Sequence, residues 1–399
     1  MKYDQILILM YKDFEVLSFG VNYEDERVEI IKKLAHFDKA PWGTIEDDEK
    51  CRIGLVRFIN QHSIPSTRTD YKEIIEATGF RSGFELSFQA HGLSLSNHYW
   101  YKREGENLRY EDINFFTNKW DDSFARAMLT QDYEALKHCD LNVPDIMTAG
   151  WGTKGWIYEE GGPKLFKLGI NKDHSEEPLG EVLASRIAKQ LFNEGEVLEY
   201  ELRKVGDRYA SVSPVMISID EDLAPLSNYV DPTLYFVYRQ KSTNKEQAKK
   251  FYDIIKNSPI PGLFDFFVKL ACLRDICFVS DLHFDNISII RNSKTGQIRI
   301  APIYDLGGAF GSSRSGQNII SKIDKSTFIL VYYLFTDLDP DWDYSWYNPD
   351  KLIGYEEEIR RVLSLSAFYT PELIDCIIQV YKHQKETLDK TAKNSSKNK

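Results

Sequence analysis

The sequence predicts an α+β chain of two lobes preceded by an N-terminal α+β accessory region. Three observations predict it. The chain has 399 residues, enough for two or three domains at roughly 100–200 residues each. Its middle is a series of short strand-like runs separated by glycine turns, and from residue 220 onward helical periodicity takes over. Strands followed by helices, with no regular alternation of the two, is the α+β pattern. The expected divisions are 1–135 for the accessory region, 136–219 for a strand-rich lobe, 220–389 for a helical lobe and 390–399 for a flexible Lys/Asn/Ser-rich tail.

Taken in order, residues 3–10 and 14–21 read as two strands joined by the polar turn Tyr11-Lys12-Asp13. Helical spacing follows over Glu26–Phe37 and Lys50–Gln61, a strand over Phe84–His91 and a helix over Asp121–His138. His91, His98 and Trp100 stand out in the next stretch and read as partly buried aromatic packing. Ile146–Gly169 reads as three strands with two hairpin connections, and Pro178–Phe192 as a helix with Val182, Leu183, Ile187, Ala188 and Leu191 on one face. Val197–Lys204 and Ala210–Ile219 read as strands. Ser242–Asn257 reads as an amphipathic helix, while Leu263–Val279 is apolar nearly all round and so reads as a buried one. A hairpin at Ile287–Tyr304 precedes helices at Pro349–Leu365 and Pro371–Leu388.

Composition excludes several classes. The apolar share of 42% is too high for a disordered chain. No run approaches the roughly 18–20 apolar residues of a membrane span, and the apolar N-terminal run is too short for a secretory signal, so a cytoplasmic protein with no membrane partner is expected. Five cysteines without a C-x-x-C pair do not form a disulfide framework or a zinc site, and read as reduced core thiols. The net charge of −11 argues against sequence-blind attraction to nucleic acid, so no direct nucleic-acid contact is expected. Some of those carboxylates are instead candidates for holding a metal ion.

Gly150-Trp151-Gly152-Thr153-Lys154-Gly155 is a G-x-G-x-x-G run. In a dinucleotide-binding fold its last glycine opens a helix, whereas Trp156–Glu159 and a Gly-Gly turn follow here, which is strand behaviour. A glycine loop between two strands brings bare amides close to the phosphates of ATP, and the next strand can deliver a lysine to them. Lys167 sits on that strand, on the same face as Leu165, fifteen residues after Gly152. A flanked lysine of this kind needs a partner, because an unpaired buried ammonium is costly. Glu181, near the start of the following helix, is placed either to pair with it or to serve as an ordinary charge at a helix start. A glycine hairpin without a ligand is the bland reading of the loop.

The strongest signal is Ser280-Asp281-Leu282-His283-Phe284-Asp285-Asn286, followed by a hairpin that ends at Asp305. If Asn292 faces Gln297 across the turn, paired positions sum to 589, so Asn286 lies opposite Ile303 with Asp305 just beyond, at the same open end. Mg²⁺ takes oxygen ligands and is held by one or two protein groups plus phosphates. Asn286 and Asp305 suit that role, and Asp281 suits the base that accepts a hydroxyl proton. The competing account has Asp and Asn capping the hairpin by turn preference.

These residues resemble the HipA-like serine/threonine kinases, a branch of the protein-kinase-like fold. The matching pieces are TAGWGTKG, LFKLG with Lys167, EEPLGEVLASRIAKQL with Glu181, SDLHFDN and IAPIYD, over roughly residues 140 to 315. The resemblance implies a kinase N-lobe over 136–219 and a catalytic C-lobe over 220–389. Asp281 would be the catalytic base and Asn286 and Asp305 the Mg²⁺ ligands. Gly150, Gly152, Thr153, Lys154, Gly155, Lys167 and Glu181 would form the ATP site. Family members phosphorylate serine or threonine of a protein. Some autophosphorylate in the glycine loop, where Thr148 and Thr153 are the local candidates, and some are toxins paired with an antitoxin. The chain departs from the best-known members at Trp151 and Trp156, in its first 135 residues and after Gly311. The alternatives are a small-molecule phosphotransferase of the aminoglycoside or choline kinase kind, which usually has His-Gly where Val279-Ser280 stand, and a non-catalytic nucleotide-binding module.

Overall fold

The computed structural model describes residues 2–43, 47–148, 150, 152–169, 176–226, 245–279, 286–312 and 343–397. The chain divides into two compact units, Met1–Lys167 with Ile217–Asp222, and Leu168–Met216 with Leu223–Lys399. The fold is a mixed α+β arrangement of antiparallel strands and helices.

The first unit is built on the alternating apolar run near the N-terminus. Strands β1 (Gln5–Tyr11), β2 (Phe14–Asn22), β3 (Arg27–Lys33) and β4 (Tyr99–Arg103) form an antiparallel sheet in the order β3-β2-β1-β4. Pairing Leu7 with Phe19 and Leu9 with Leu17 puts one apolar face inward. There it packs with Phe88, Tyr101 and Met128 in a buried cluster. Helix Asp48–Gln61 is capped by Asp47, whose carboxylate accepts the Lys50 amide at 2.8 Å. Strands β5 (Lys154–Glu159) and β6 (Gly162–Lys167) make an antiparallel hairpin. The segment Ile217–Asp222 returns to this unit. There the Asp222 carboxylate accepts the Tyr11 hydroxyl at 2.5 Å and the His98 amide at 3.1 Å.

The second unit is built round the apolar helix Leu263–Cys277, which packs against the helices Glu177–Leu191 and Pro371–Lys397. Leu183, Ile187, Leu273, Ile276, Val362, Ile377 and Tyr381 lie in its core. Its strands are β7 (Glu201–Val205) paired with β8 (Arg208–Pro214), and β10 (Ser288–Asn292) with β11 (Ile298–Ile300) in a small sheet ordered β11-β10-β9, of which β9 (Glu221–Pro225) belongs to this unit from Leu223 onward. The last helix continues through the Lys/Asn/Ser-rich stretch to Lys397.

Three local expectations are corrected. Residues 27–33, expected to be helical, form β3: Val28, Glu29 and Ile30 continue the ladder against Val21, Gly20 and Phe19, so pairing overrides the helical spacing. Phe84–His91, expected to be a strand, lies largely in the helix Gly83–Gln89, started by Ser82, whose hydroxyl accepts the Glu85 amide at 3.3 Å. The spacing Ser82-x-x-Glu85 is the local signature of such a helix start. Before β5 there is a 3-10 turn, Pro144–Met147, where a third strand was expected. His98 and Trp100 are buried, and His98 Nδ1 lies 2.6 Å from the Tyr110 hydroxyl, as the packing reading expects.

Candidate active site

The glycine loop leads into β5 in the first unit. Gly150 has φ +110°, a conformation in which other residues are strained, and a side chain there would also strike the Lys154 ammonium. The Lys154 ammonium thus lies against the Gly150 backbone. In the hairpin Lys154 pairs with Lys167, Gly155 with Phe166 and Trp156 with Leu165, which sets the two lysines side by side at the loop end. Gly155 has a packing reason to be glycine: an added Cβ would lie 2.9 Å from the Cβ of Ala125 in the helix Ser123–Thr130.

Residues from the accessory region hold the loop from below. Thr153 is 4% exposed, and its hydroxyl donates to the Asp70 carboxylate at 2.9 Å. Asp70 in turn pairs with Arg68 at 2.7 Å. Asp145 is buried one strand-end away. One of its oxygens accepts the Trp156 amide at 2.8 Å, and the other has no hydrogen-bond partner among the described residues. Burial pushes its carboxyl up from 3.8 to about 7, against the lowering influence of the Trp156 amide and Arg68. The Trp156 indole N–H donates to Thr148 at 3.1 Å. Of the two loop threonines, Thr153 as placed is not an accessible phosphate acceptor, and Thr148 is half-buried with its hydroxyl donated to the Pro144 carbonyl at 3.0 Å. Arg68 and Asp70 sit two residues apart, but nothing local ties them to the loop, because Thr153 lies 83 residues from Asp70 and Lys154 86 from Arg68; Asp145 is marked only by its bond to a backbone amide.

The second unit carries Glu181, Asn286 and Asp305. Glu181 is 1% exposed in the helix Glu177–Leu191 and accepts the Ser211 hydroxyl of β8. Beside it, Gly180 lets the helix approach the turn after Asp305: an added Cβ would lie 2.5 Å from the Ala309 carbonyl oxygen. The β10–β11 register has the sum expected from the spacing, with Ile289 opposite Ile300 and Arg291 opposite Ile298. The Ala301 amide continues the ladder to the Ser288 carbonyl at 2.8 Å. Beyond Ser288 the ladder gives way: Asn286 lies in a 3-10 turn, and Ile303 bonds instead to Glu196 and Leu198, so the expected pairing of Asn286 with Ile303 is not part of the ladder.

The backbone at Asp305 is unusual. Asp305 has φ +57°, and its amide donates to the Tyr200 hydroxyl at 3.2 Å. Phe278, which closes the buried helix, and Phe310 also have positive φ, rare for bulky residues, and their rings meet edge-on at 5.6 Å. Positive φ at non-glycine residues is the kind of strain found at functional sites, and Asp305 carries it at a motif position. The carbonyl and carboxylate oxygens of Asn286 and Asp305 are of the type that suits Mg²⁺. Among the described residues no three His, Cys, Asp or Glu side chains cluster as a metal site. Asp281 lies outside the described residues.

No protein-family model and no curated protein matches the chain by sequence. In structure it is similar to HipA of Shewanella oneidensis MR-1, from a toxin–antitoxin complex with HipB and operator DNA. The TM-score is 0.52 at 10% identity, over 97% of this chain and 99% of that one. It is also similar to the Helicobacter pylori proinflammatory kinase CtkA, with a TM-score of 0.44 at 15% identity over 62% of this chain and 93% of that one, a match too loose to carry an argument. The class defined is thus one of fold: the chain has the fold of HipA, which supports the resemblance to the HipA-like kinases carried by its motifs.

Proposed function

We propose that this chain is an ATP- and Mg²⁺-dependent kinase of the HipA-like kind, transferring a phosphoryl group to serine or threonine of a protein. The observation that carries the reading is that a chain with the fold of HipA also has the β10–β11 register its motif spacing predicts, with Asp305 just past the hairpin in a left-handed backbone conformation.

In this reading Asn286 and Asp305 hold Mg²⁺, which when bound neutralises charge on the transferring phosphoryl group. Asp281 accepts the proton of the attacking hydroxyl. The amides of Gly150, Gly152, Thr153 and Gly155 face the phosphates, and Lys154 and Lys167 supply positive charge to them. Glu181 is the partner that orients Lys167 in this reading, and its carboxylate also accepts the Ser211 hydroxyl. Residues 136–219 are the N-lobe and 220–389 the C-lobe of a two-lobed kinase, behind the accessory region. A protein substrate and an antitoxin-like partner follow from the same reading, the second because the similar HipA was solved in a complex with HipB. Among the described residues no helix is long and apolar enough to cross a membrane, and a cytoplasmic location is proposed.

The test is intact-mass measurement of the purified chain after incubation with Mg-ATP, alone and with a generic protein acceptor. The wild type is expected to transfer phosphate, and Asp281→Ala and Asp305→Ala to lose at least about a hundredfold of that rate, the lower range for a general acid–base group. Full transfer by either folded variant overturns the assignment. Phosphate found only on small metabolites would shift it to the small-molecule phosphotransferases.

A further inference from the structure

We propose that Asp70, oriented by Arg68, is a positioning residue for the glycine loop and fixes the loop through the Thr153 hydroxyl. The proposal rests on reading that loop as the nucleotide-binding element, and it gives the accessory region a direct part in nucleotide binding.

Asp70 precedes the helix Tyr71–Thr78, the position where aspartate is favoured because its carboxylate accepts the first free amides of a helix. It makes no such bond. Its side chain turns away. One oxygen takes the Arg68 Nε at 2.7 Å, and the other takes the Thr153 hydroxyl, 83 residues along the chain, at 2.9 Å. The Arg68 and Asp70 side chains are 2% and 3% exposed. Buried charges are tolerated only when their remaining oxygens and N–H groups are also bonded. The loop supplies that completion: besides the Thr153 hydroxyl, the Lys154 carbonyl accepts from Arg68 Nη2 at 3.4 Å. If the loop left this position, an aspartate oxygen and an arginine N–H would each lose a buried partner. The ion pair and the docked loop are therefore mutually dependent.

The brace holds the loop at Thr153 and Lys154, directly after the two glycines, where the chain has most freedom to lose. A loop already ordered pays less to close over phosphates, so the brace acts on nucleotide affinity more than on the rate of the chemical step.

Hydrogen exchange of amides 150–155 and the dissociation constant for Mg-ATP test the proposal in the full chain. Thr153→Val removes the hydroxyl and keeps the ion pair, Thr153→Ser keeps the hydroxyl, and Asp70→Asn removes the charge. Thr153→Val is expected to speed exchange in this segment by about tenfold or more, the scale of one hydrogen bond to a charged group, and to raise KM for ATP with kcat little changed. Thr153→Ser restores both. Combining Thr153→Val with Asp70→Asn is expected to do less than the sum of the two single changes, since both weaken the Thr153–Asp70 bond while only Asp70→Asn also disturbs Arg68. Unchanged loop exchange in folded Thr153→Val, or additive effects in the double variant, overturns the proposal. If Asp70→Asn fails to fold, the Val and Ser pair decides. A wild-type chain that binds no Mg-ATP would remove the kinase reading, and loop exchange in the Thr153 variants would still decide the brace.

Discussion

Asp145 shows how one residue can set a pH dependence. Its carboxyl is buried with one oxygen bonded to the Trp156 amide and the other unpartnered among the described residues, and burial holds the folded form at about 7 against an ordinary 3.8. The folded chain therefore keeps a proton that the unfolded chain releases between about pH 4 and pH 7, and this residue's contribution to stability falls as pH rises through that window. Above about pH 7 the loss is complete. Asp145→Asn keeps the acceptor for Trp156 and has no charge to bury. Its urea midpoint is expected to fall less than that of the wild type between about pH 5 and pH 8. The gap between the two chains is on the order of 1–4 kcal/mol, from about 1.36 kcal/mol per tenfold change in proton affinity. Equal slopes for both chains would remove Asp145 from the account. Nothing in the local sequence marks this aspartate, because what raises its proton affinity is its surroundings.

At the scale of elements, the helix Glu177–Leu191 is the clearest case of local sequence and tertiary demand agreeing. Its apolar spacing is legible, and its ends fall within one residue of those expected. Gly180 is where the tertiary demand shows. In an open helix, alanine in place of glycine would stabilise by about 1 kcal/mol. Here the new Cβ would lie 2.5 Å from both the Ala309 carbonyl oxygen and the Ser312 hydroxyl, and overpacking of this kind costs about 1–3 kcal/mol. The clash wins, so Gly180→Ala is expected to lower the urea midpoint, and a gain would show that the turn after Asp305 yields freely. The β10–β11 hairpin was legible to the register, because its turn residues fix which positions face each other. β3 and the helix Gly83–Gln89 were not, because short apolar runs fit both periods and only neighbouring strands or a cap decide between them.

For the whole molecule, charge and fold point in different directions on nucleic acid. The HipA of similar fold was solved in a complex with HipB and DNA, yet this chain carries a net charge of −11. Sequence-blind DNA binding depends on lysines and arginines replacing counterions along the phosphates, and an acidic chain has few to spare. The purified chain is therefore expected not to retard a generic DNA duplex at about 0.15 M salt, where the screening length is about 8 Å. Salt-sensitive retardation by the chain alone would reveal a basic surface that net charge conceals.

By itself the sequence determined the order of the motifs, the α+β class, the two main buried or half-buried helices and the register of the β10–β11 hairpin. All of these depend on periodicity and turn chemistry within some twenty residues. The tertiary structure alone decided that Thr153 is tied to Asp70, that Ser211 reaches Glu181 and that Asp305 adopts a left-handed backbone. The two hydrogen bonds join residues 83 and 30 positions apart. The φ of Asp305 is held by contacts such as the one from its amide to Tyr200. Such features come from how distant segments pack, which no local pattern encodes.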